Sequence, residues 1–386
     1  MLSPLDLEVI DLAIEIEDGK VVNTKSSGNR LRGYEKVFIG KNPKELYSII
    51  PRVLSTCAQS HVFAYAKASM NLSENTSKIL ETMVILEIIE SHIRHPYTYW
   101  FPYIGGREYD FPSGDKFKKI SFISKQIRNL MERIGGKWPS VDYFNIGKKI
   151  QIEQNEINKI REMWEKETLG MGVEDFLEVE EIEELKGDLS LFKKIPYFIS
   201  GLNKYLTVGF PFNGDLNYSK IQDNGIEVKY DGELVEVGPL AQALTFDKMV
   251  RKLHEKIGPS PMLRELSRMK IVAYLLNQLN EINEETDGFS IRGDGVGIVE
   301  SIRGSLIHDV KIDSNIKGYK IIQPTTFNAS PKGALEKAVN GIPVSDPKNP
   351  WEISLAVSSL DSCFVTEVRI FEKGSLMSKK RIGGFC

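Results

Sequence analysis

The sequence predicts a single, mainly helical α+β domain, on three observations. Long segments repeat apolar residues at helical spacing. Short segments towards either end alternate apolar and charged residues around Asp-Gly turns. No repeat or low-complexity linker divides them, and 386 residues can enclose one large core. The expected partition is an N-terminal β region over 1–40, a helical bundle with surface insertions over 41–225, a hairpin, helices and a C-terminal β/helix region over 226–369, and a tail over 370–386.

In order, LEVIDLAIEIE (7–17) followed by DGKVV reads as a hairpin turning at Asp18-Gly19. From Asn42-Pro43 to about Asn71 one helix is expected, with Leu46, Ile50, Leu54, Cys57, His61 and Ala64 on a broad face. Residues 73–94 contain MVILEIIESHI, apolar on nearly every side, the mark of a helix at the centre of a bundle. A third helix over 115–134 stops at Gly135-Gly136, and a fourth over 149–168 is charged enough to read as a solvated surface helix. The acidic run at 178–188 and the Asn/Gly/Asp-rich piece at 213–225 read as peripheral. IEVKYDGELVEV (226–237) reads as a hairpin about Asp231-Gly232, helices follow over 240–257 and 261–285, then a β-rich section, and a last helix over 350–360.

Composition removes several classes of function. With 50 Lys and Arg against 53 Asp and Glu, nothing suggests a nucleic-acid footprint. Three cysteines make no disulfide framework and point to a reducing compartment, so a cytoplasmic location is expected. Acidic residues interrupt the N-terminal apolar run, unlike a secretory leader, and no apolar run approaches the ~18 residues that span a bilayer.

The candidate site residues are Cys57, His61, Arg303, His308, Asp361 and Cys363. Taken singly, a cysteine on an apolar helix face is most simply a small core residue, and a buried histidine a hydrogen-bonded one. GDGVG (293–297) lacks the lysine of a phosphate-cradling loop and fits a tight strand turn better.

Their order along the chain says more. RLRGYEKVFIGKNPKEL (30–46) precedes RVLSTCAQSH (52–61); IGGKWPS (134–140), VEVGPLAQAL (235–244), VESIRGSLIHDV (299–310), IIQPTTFNASP (321–331) and SLDSCFVTEVR (359–369) follow. This succession resembles the large subunit of nickel–iron hydrogenases. That family reads Arg-x-Cys-Gly-x-Cys-x-x-x-His early and Asp-Pro-Cys-x-x-Cys-x-x-His late. Between them lie Glu-Val-Gly-Pro-Leu-Ala-Arg, Pro-Arg-Gly-x-Leu-x-His and Pro-Thr-x-x-Asn. The resemblance spans nearly the whole chain and implies the family's fold, a central long-helix bundle with peripheral β-hairpins.

In the family, four thiolates hold nickel, and two of them bridge to an iron. Laid on that pattern, the cysteine positions here are Leu54, Cys57, Cys363 and Thr366, so one thiolate is missing from each motif. The resemblance therefore implies that an intact nickel–iron centre is not expected, since leucine ligates nothing and a threonine hydroxyl suits a soft metal poorly. Cys57 and Cys363 would be metal ligands only in a modified site, with His61 or the terminal Cys386 as a further donor. Glu35 matches a magnesium-binding glutamate whose partner histidine falls on Arg369, which is no cation ligand. Glu8 takes the place of a proton-relay glutamate only through a one-residue slip. In the family a C-terminal extension is removed after nickel insertion; a chain that keeps its tail over 370–386 is expected not to enter that pathway.

Arg303, Gly304, Asp361, His61, Gly238-Pro239-Leu240 and Pro324-Thr325 keep the family's residues around the centre. The resemblance implies catalytic roles for Cys57, Cys363, Arg303, Asp361 and His61. Three readings stay open. One is an oxidoreductase subunit using the Cys57/Cys363 pair for sulfur or disulfide redox chemistry, one a hydrogenase with a modified nickel or iron site, and one a non-catalytic subunit that docks an electron-transfer protein. Each implies a hydrogenase-type small subunit carrying the iron–sulfur clusters, with further subunits of a redox complex and any membrane attachment supplied through them. Three cysteines cannot ligate even one four-cysteine cluster.

Overall fold

The computed structural model describes residues 9–27, 33–195, 198–209 and 216–383. Helices α1 (Pro43–Val53), α2 (Ala58–Ser69) and α3 (Glu74–Tyr99) come first, with short α4 (Phe101–Ile104) directly after. Next are α5 (Asp115–Gly135), α6 (Gln154–Trp164), α7 (Val173–Glu178), α8 (Pro239–Phe246), α9 (Lys248–Ile257) and α10 (Pro261–Gln278). The last are α11 (Pro324–Asn328), α12 (Ala334–Val339) and α13 (Trp351–Ser359). The strands are β1 (Val9–Glu17), β2 (Lys20–Ser26), β3 (Met70–Leu72), β4 (Lys149–Ile152), β5 (Ile221–Asp223), β6 (Val228–Tyr230) and β7 (Ile282–Glu285). They continue with β8 (Phe289–Ile291), β9 (Gly295–Ser301), β10 (Gly304–Asp313), β11 (Asn315–Ile322), β12 (Val365–Glu372) and β13 (Ser375–Ile382).

Helices α3 and α10 pass through the middle of the bundle and pack on each other, with α5 on the far side of α3. α3 starts where the Ser73 hydroxyl accepts the Thr76 N–H, and α10 where Ser260 does the same for Leu263. α5 buries Ile120, Ile123, Ile127, Leu130, Met131 and Ile134 on one stripe, each contributing about 1.5–3 kcal/mol on burial. It stops at Gly136, whose φ of 73° favours glycine.

α10 carries buried charges. Arg264 is clamped by Glu236 at 2.7 and 2.8 Å, Arg268 reaches Glu265 at 3.0 Å, and the Lys270 ammonium donates to the carbonyls of Phe176 and Val179. These buried charges tie the loop around 236 and the end of α7 to the bundle axis.

Two sheets flank the helices. The first has the order β13-β12-β1-β2, with β1 parallel to β12 and the other pairs antiparallel. Both of its hairpins turn through two residues of positive φ, Asp18-Gly19 (48° and 71°) and Lys373-Gly374 (49° and 76°), as the twist of a two-residue hairpin requires. The second sheet, β11-β10-β9, is antiparallel and lies against α2.

Several expectations are corrected. The helix expected over 42–71 is two helices, broken between Leu54 and Cys57. Pro51 brings no N–H to the last turn of α1, and a carboxylate from α3 takes over the first amides of α2. The 240–257 helix is interrupted at Asp247, which caps α9, and α10 ends at Gln278 rather than 285, with β7 beginning at Ile282. The fourth helix starts only at Gln154, after β4, and its inner face buries Ile157, Ile160 and Trp164. The acidic run is not wholly peripheral: Asp188 is buried and accepts from Tyr97, Tyr109 and Lys116. The Asp231-Gly232 turn closes only the Tyr230–Glu233 bridge; β6 pairs back to β5, and Glu236 bridges to Tyr205. Residues 213–215 lie outside the described residues.

The expected tail is part of the fold. Residues through Ile382 form the second half of β12 and all of β13, and Ile370 and Ile382 are buried in the core. The alternation in VRIFEKGSLMSKKRI carries this strand pattern around its Lys-Gly turn.

GDGVG is neither a phosphate loop nor simply a turn. Gly295 and Gly297 sit where β9 crosses the C-terminal half of α2, and a Cβ on Gly297 would lie 1.9 Å from the Ala64 carbonyl oxygen. Gly297→Ala is expected to force α2 off the sheet and to cost about 2–3 kcal/mol, at the upper end for overpacking. Its denaturation midpoint, compared with that of Gly172→Ala, where φ is −67° and an added Cβ meets only ordinary contacts, checks this.

Candidate functional site: a paired-cysteine centre

Four elements converge on the two cysteines. Cys57 ends the three-residue 3₁₀ turn between α1 and α2 and is 3% exposed. Cys363 lies beyond α13, after the chain has turned through Asp361 in the left-handed region at φ 46°. The Thr325 hydroxyl, on α11, accepts the Cys363 N–H at 3.0 Å and donates to its sulfur at 3.2 Å, which fixes the sulfur's position. Arg303 comes from the turn between β9 and β10. That turn is held against residues 237–238 by Gly304, whose Cβ would meet the Gly238 nitrogen at 2.5 Å.

The Arg303 guanidinium joins the two halves. Nη1 donates to Cys57 Sγ at 3.0 Å, Nε to the Asp361 carbonyl at 2.5 Å, and Nη2 to Asp361 Oδ1 at 3.2 Å. The two sulfurs act on each other's ionisation. The Cys57 thiol is the main cause holding Cys363 down at about 6, against its burial; the charge of Arg303 and the Thr325 hydroxyl add to it. Cys57 moves the other way, well up, through Cys363 and its burial. The pair therefore keeps one proton at neutral pH and exposes its thiolate on Cys363.

Burial alone would raise the Asp361 carboxyl, but Arg303, with His95, Arg268 and His92 behind it, holds it at about 2. His95 spans Glu265 at 2.9 Å and the Ser358 carbonyl at 3.1 Å, and Arg268 donates to the Ser359 carbonyl at 2.7 Å, so the end of α13 is pinned from α3 and α10. Both ring nitrogens of buried His92 lack a hydrogen-bond partner.

His61 is separate from the sulfurs. Its Nδ1 meets His308 Nε2 at 2.9 Å, and His308 Nδ1 meets the Tyr319 hydroxyl at 2.8 Å, a buried chain from α2 across the second sheet. Burial pushes His61 down to about 3 and His308 and His92 well below their ordinary range. Depressed folded values mean that this stability is present above the unfolded value of ~6.5 and is lost as pH falls towards 3. The buried carboxyls of Glu87 and Glu300, raised by desolvation, act in the opposite sense. A His61→Gln variant lacks this titration and is expected to lose less stability than the parent as pH falls from ~6.5 towards 3. Urea midpoints of the two proteins across that range check the difference.

Cys363 opens into a cleft of about 500 Å³ between α3, α5 and the start of β12. Ser55, Glu87, Arg94, Trp138, Ile302 and Phe364 are among its lining. Glu87 was not among the sequence candidates, although a lone pair of acids (Glu87 and Glu90) in an otherwise apolar run was a visible signal. Its carboxylate accepts the amides of Gln59 and Ser60 at 2.8 and 3.1 Å and the Ser60 hydroxyl at 2.7 Å. It is the N-terminal cap of α2, supplied from another helix.

The remaining family positions are apolar or unligated. Leu54 belongs to the bundle core, and Thr366 is buried in β12 with its hydroxyl unpartnered. Glu35 accepts the Gly33 N–H at 3.1 Å, while Arg369 sits mid-sheet between Ala13 and Lys379, and no ion pair joins them among the described residues. Among the described residues no three His, Cys, Asp or Glu side chains converge to hold a metal. Glu8, residues 30–32 and Cys386 lie outside the described residues, and no described helix is long and apolar enough to cross a membrane.

Residues 262–368 match the profile of the nickel-dependent hydrogenases. The periplasmic [NiFeSe] hydrogenase large subunit of Desulfomicrobium baculatum is 23% identical over 91% of this chain and 90% of its own. The sulfhydrogenase 1 subunit alpha of Pyrococcus furiosus is 22% identical over 77% and 79%. Among solved structures, the reduced Ni-Fe-Se hydrogenase from D. vulgaris Hildenborough superposes with a TM-score of 0.69 at 21% identity, covering 90% of this chain and 94% of that one. The reduced, active enzyme from D. baculatum gives 0.67 at 20%, covering 91% and 95%. The chain is thus similar over most of its length to nickel–iron hydrogenase large subunits and shares their fold.

Proposed function

We propose that this chain is the large, catalytic-type subunit of a redox complex and that its reacting centre is the Cys57–Cys363 dithiol. The observation that carries this reading is the Arg303 guanidinium, which joins Cys57 to the Asp361 turn that leads into Cys363. The Cys363 sulfur is held by Thr325 and faces the cleft. The donor set does not fit nickel and iron: the four family positions offer two sulfurs, a leucine and a threonine hydroxyl, and no step is routed through a metal.

The chemistry suited to the pair is reduction of a sulfur–sulfur bond. The Cys363 thiolate attacks one sulfur of R–S–S–R′, forming Cys363–S–S–R and expelling R′S⁻, which takes a proton from water in the cleft. The Cys57 sulfur then attacks Cys363 Sγ and expels RS⁻. The substrate gains two electrons, and the pair loses two as it closes to a disulfide. An iron–sulfur partner of hydrogenase type, docked on the His61 side, returns the electrons. A reducing cytoplasmic setting, with membrane contact only through other subunits, belongs to the same reading because both cysteines are free thiols. One relative's name, sulfhydrogenase, also couples this scaffold to sulfur.

The test is disulfide or polysulfide reductase turnover of the complex carrying Cys57→Ser or Cys363→Ser. Loss of turnover in both is expected; full turnover in either contradicts the reading and favours a docking role. About one nickel per chain in anaerobically purified, untagged protein would favour a modified hydrogenase site instead.

A further inference from the structure

The dithiol reading leaves one step without a group to perform it. After Cys363 has been consumed in a mixed disulfide, Cys57 must lose its proton before it can attack, and its proton acceptor, the Cys363 thiolate, is gone. Neither Arg303 nor Thr325 accepts a proton from it: the first is a cation with no free lone pair, and the second already accepts the Cys363 N–H. His61 is engaged with His308.

We propose that Glu87 is the base that takes the Cys57 proton and delivers it to the departing thiolate in the cleft. The assignment rests on the dithiol reading and on the placement of the carboxylate. Glu87 is on α3, 5% exposed, and is bound to the amides of the two residues that follow Ala58, so it stands at the same helix end that Cys57 begins. It also lines the cleft into which Cys363 opens, so one carboxylate adjoins both the buried thiol's end of α2 and the space where the leaving group is released. The Ser60 hydroxyl is positioned to stabilise the charged form.

The charged neighbours are balanced. From the β9–β10 turn Arg303 favours the carboxylate, from the 3₁₀ turn before α2 Cys57 opposes a second negative charge, and from α3 itself Glu90 is paired to Arg94. Across the cleft α5 presents Arg128, which faces Glu90 at 3.5 Å, and Glu132. Desolvation brings the Glu87 carboxyl up to about 7, where a base both accepts and returns a proton at neutral pH. The step balances. Cys57–SH gives its proton to the Glu87 carboxylate, the sulfur bonds to Cys363 Sγ, the Cys363–SR bond breaks, and RS⁻ takes the proton from Glu87.

The experiment uses the full chain with Cys386→Ser, so that only Cys57 and Cys363 report, and a chromogenic nitrobenzoate disulfide as probe. Attack by Cys363 releases a first equivalent of coloured thiolate, and closure by Cys57 a second. Glu87→Gln is expected to leave the first phase within about twofold and to slow the second at least tenfold, the lower range for general-base catalysis. A second phase of unchanged rate overturns the assignment while the dithiol reading stands. Absence of a second phase in the parent chain overturns both. Should Glu87→Gln not fold, Ser60→Ala removes a donor that holds the carboxyl down. The pH midpoint of the second phase should then move upward with the first phase unaltered, and an unmoved midpoint overturns the assignment.

Discussion

Replacing Arg303 with alanine is expected to disable the centre and to weaken the fold together. The guanidinium is 2% exposed and is shared between Asp361 and Cys57. Without it the Asp361 carboxylate is buried with only His95, His92 and Arg268 nearby, and breaking one side of a buried pair costs about 3–5 kcal/mol. The thiolate on Cys363 also loses its nearest cation. Its alkylation midpoint, about 6 in the parent, is expected to move towards the ~8.5 of an ordinary thiol. Iodoacetamide labelling of Cys363 against pH reads this directly. Arg303→Lys restores charge without the planar fork, so it should recover part of the midpoint shift and little of the stability.

Glu236→Ala is expected to be comparably damaging without touching the sulfurs. Arg264, at 1% exposure, has two nitrogens on this carboxylate and one shared with the Ser200 carbonyl. Removing Glu236 strands a guanidinium at the axis of the bundle, again about 3–5 kcal/mol. Glu233→Ala, which loses only the exposed pair with Lys204, should cost about 0–1 kcal/mol. Urea unfolding at constant slope separates the two. The contrast matters because Glu236 sits inside one of the motifs shared with the hydrogenases. Its role here is to anchor, through α10, the segment that Gly238 presses against the Arg303 turn.

Much of this architecture was written locally. Asp18-Gly19 marks its hairpin because both residues must take positive φ. Gly136 ends α5, Ser73 and Ser260 open α3 and α10, and each signal lies within a few residues of its effect. What periodicity could not see was set by distant partners. The break before α2 depends on a carboxylate 28 residues away on α3. Residues 370–382 read as part of a tail because the partner of β12, β1, lies at the other end of the chain.

The centre divides in the same way. Cys57, Cys363, Arg303 and Asp361 were linked only by the resemblance, since no spacing rule brings residues some 300 positions apart together. Thr325 was visible as part of a motif, but its two bonds to Cys363 were not. Glu87 was a charge in an apolar helix, an oddity that sequence alone could not attach to the amides of α2.

The most direct test of the dithiol centre is an anaerobic titration of the Cys386→Ser chain in thiol–disulfide buffers, read by differential alkylation and peptide mass spectrometry. The pair proposed here should lose alkylation at Cys57 and Cys363 together, in one two-electron transition, and yield a single cross-linked peptide. Cysteines that titrate independently, or remain reduced across the whole range, would contradict it.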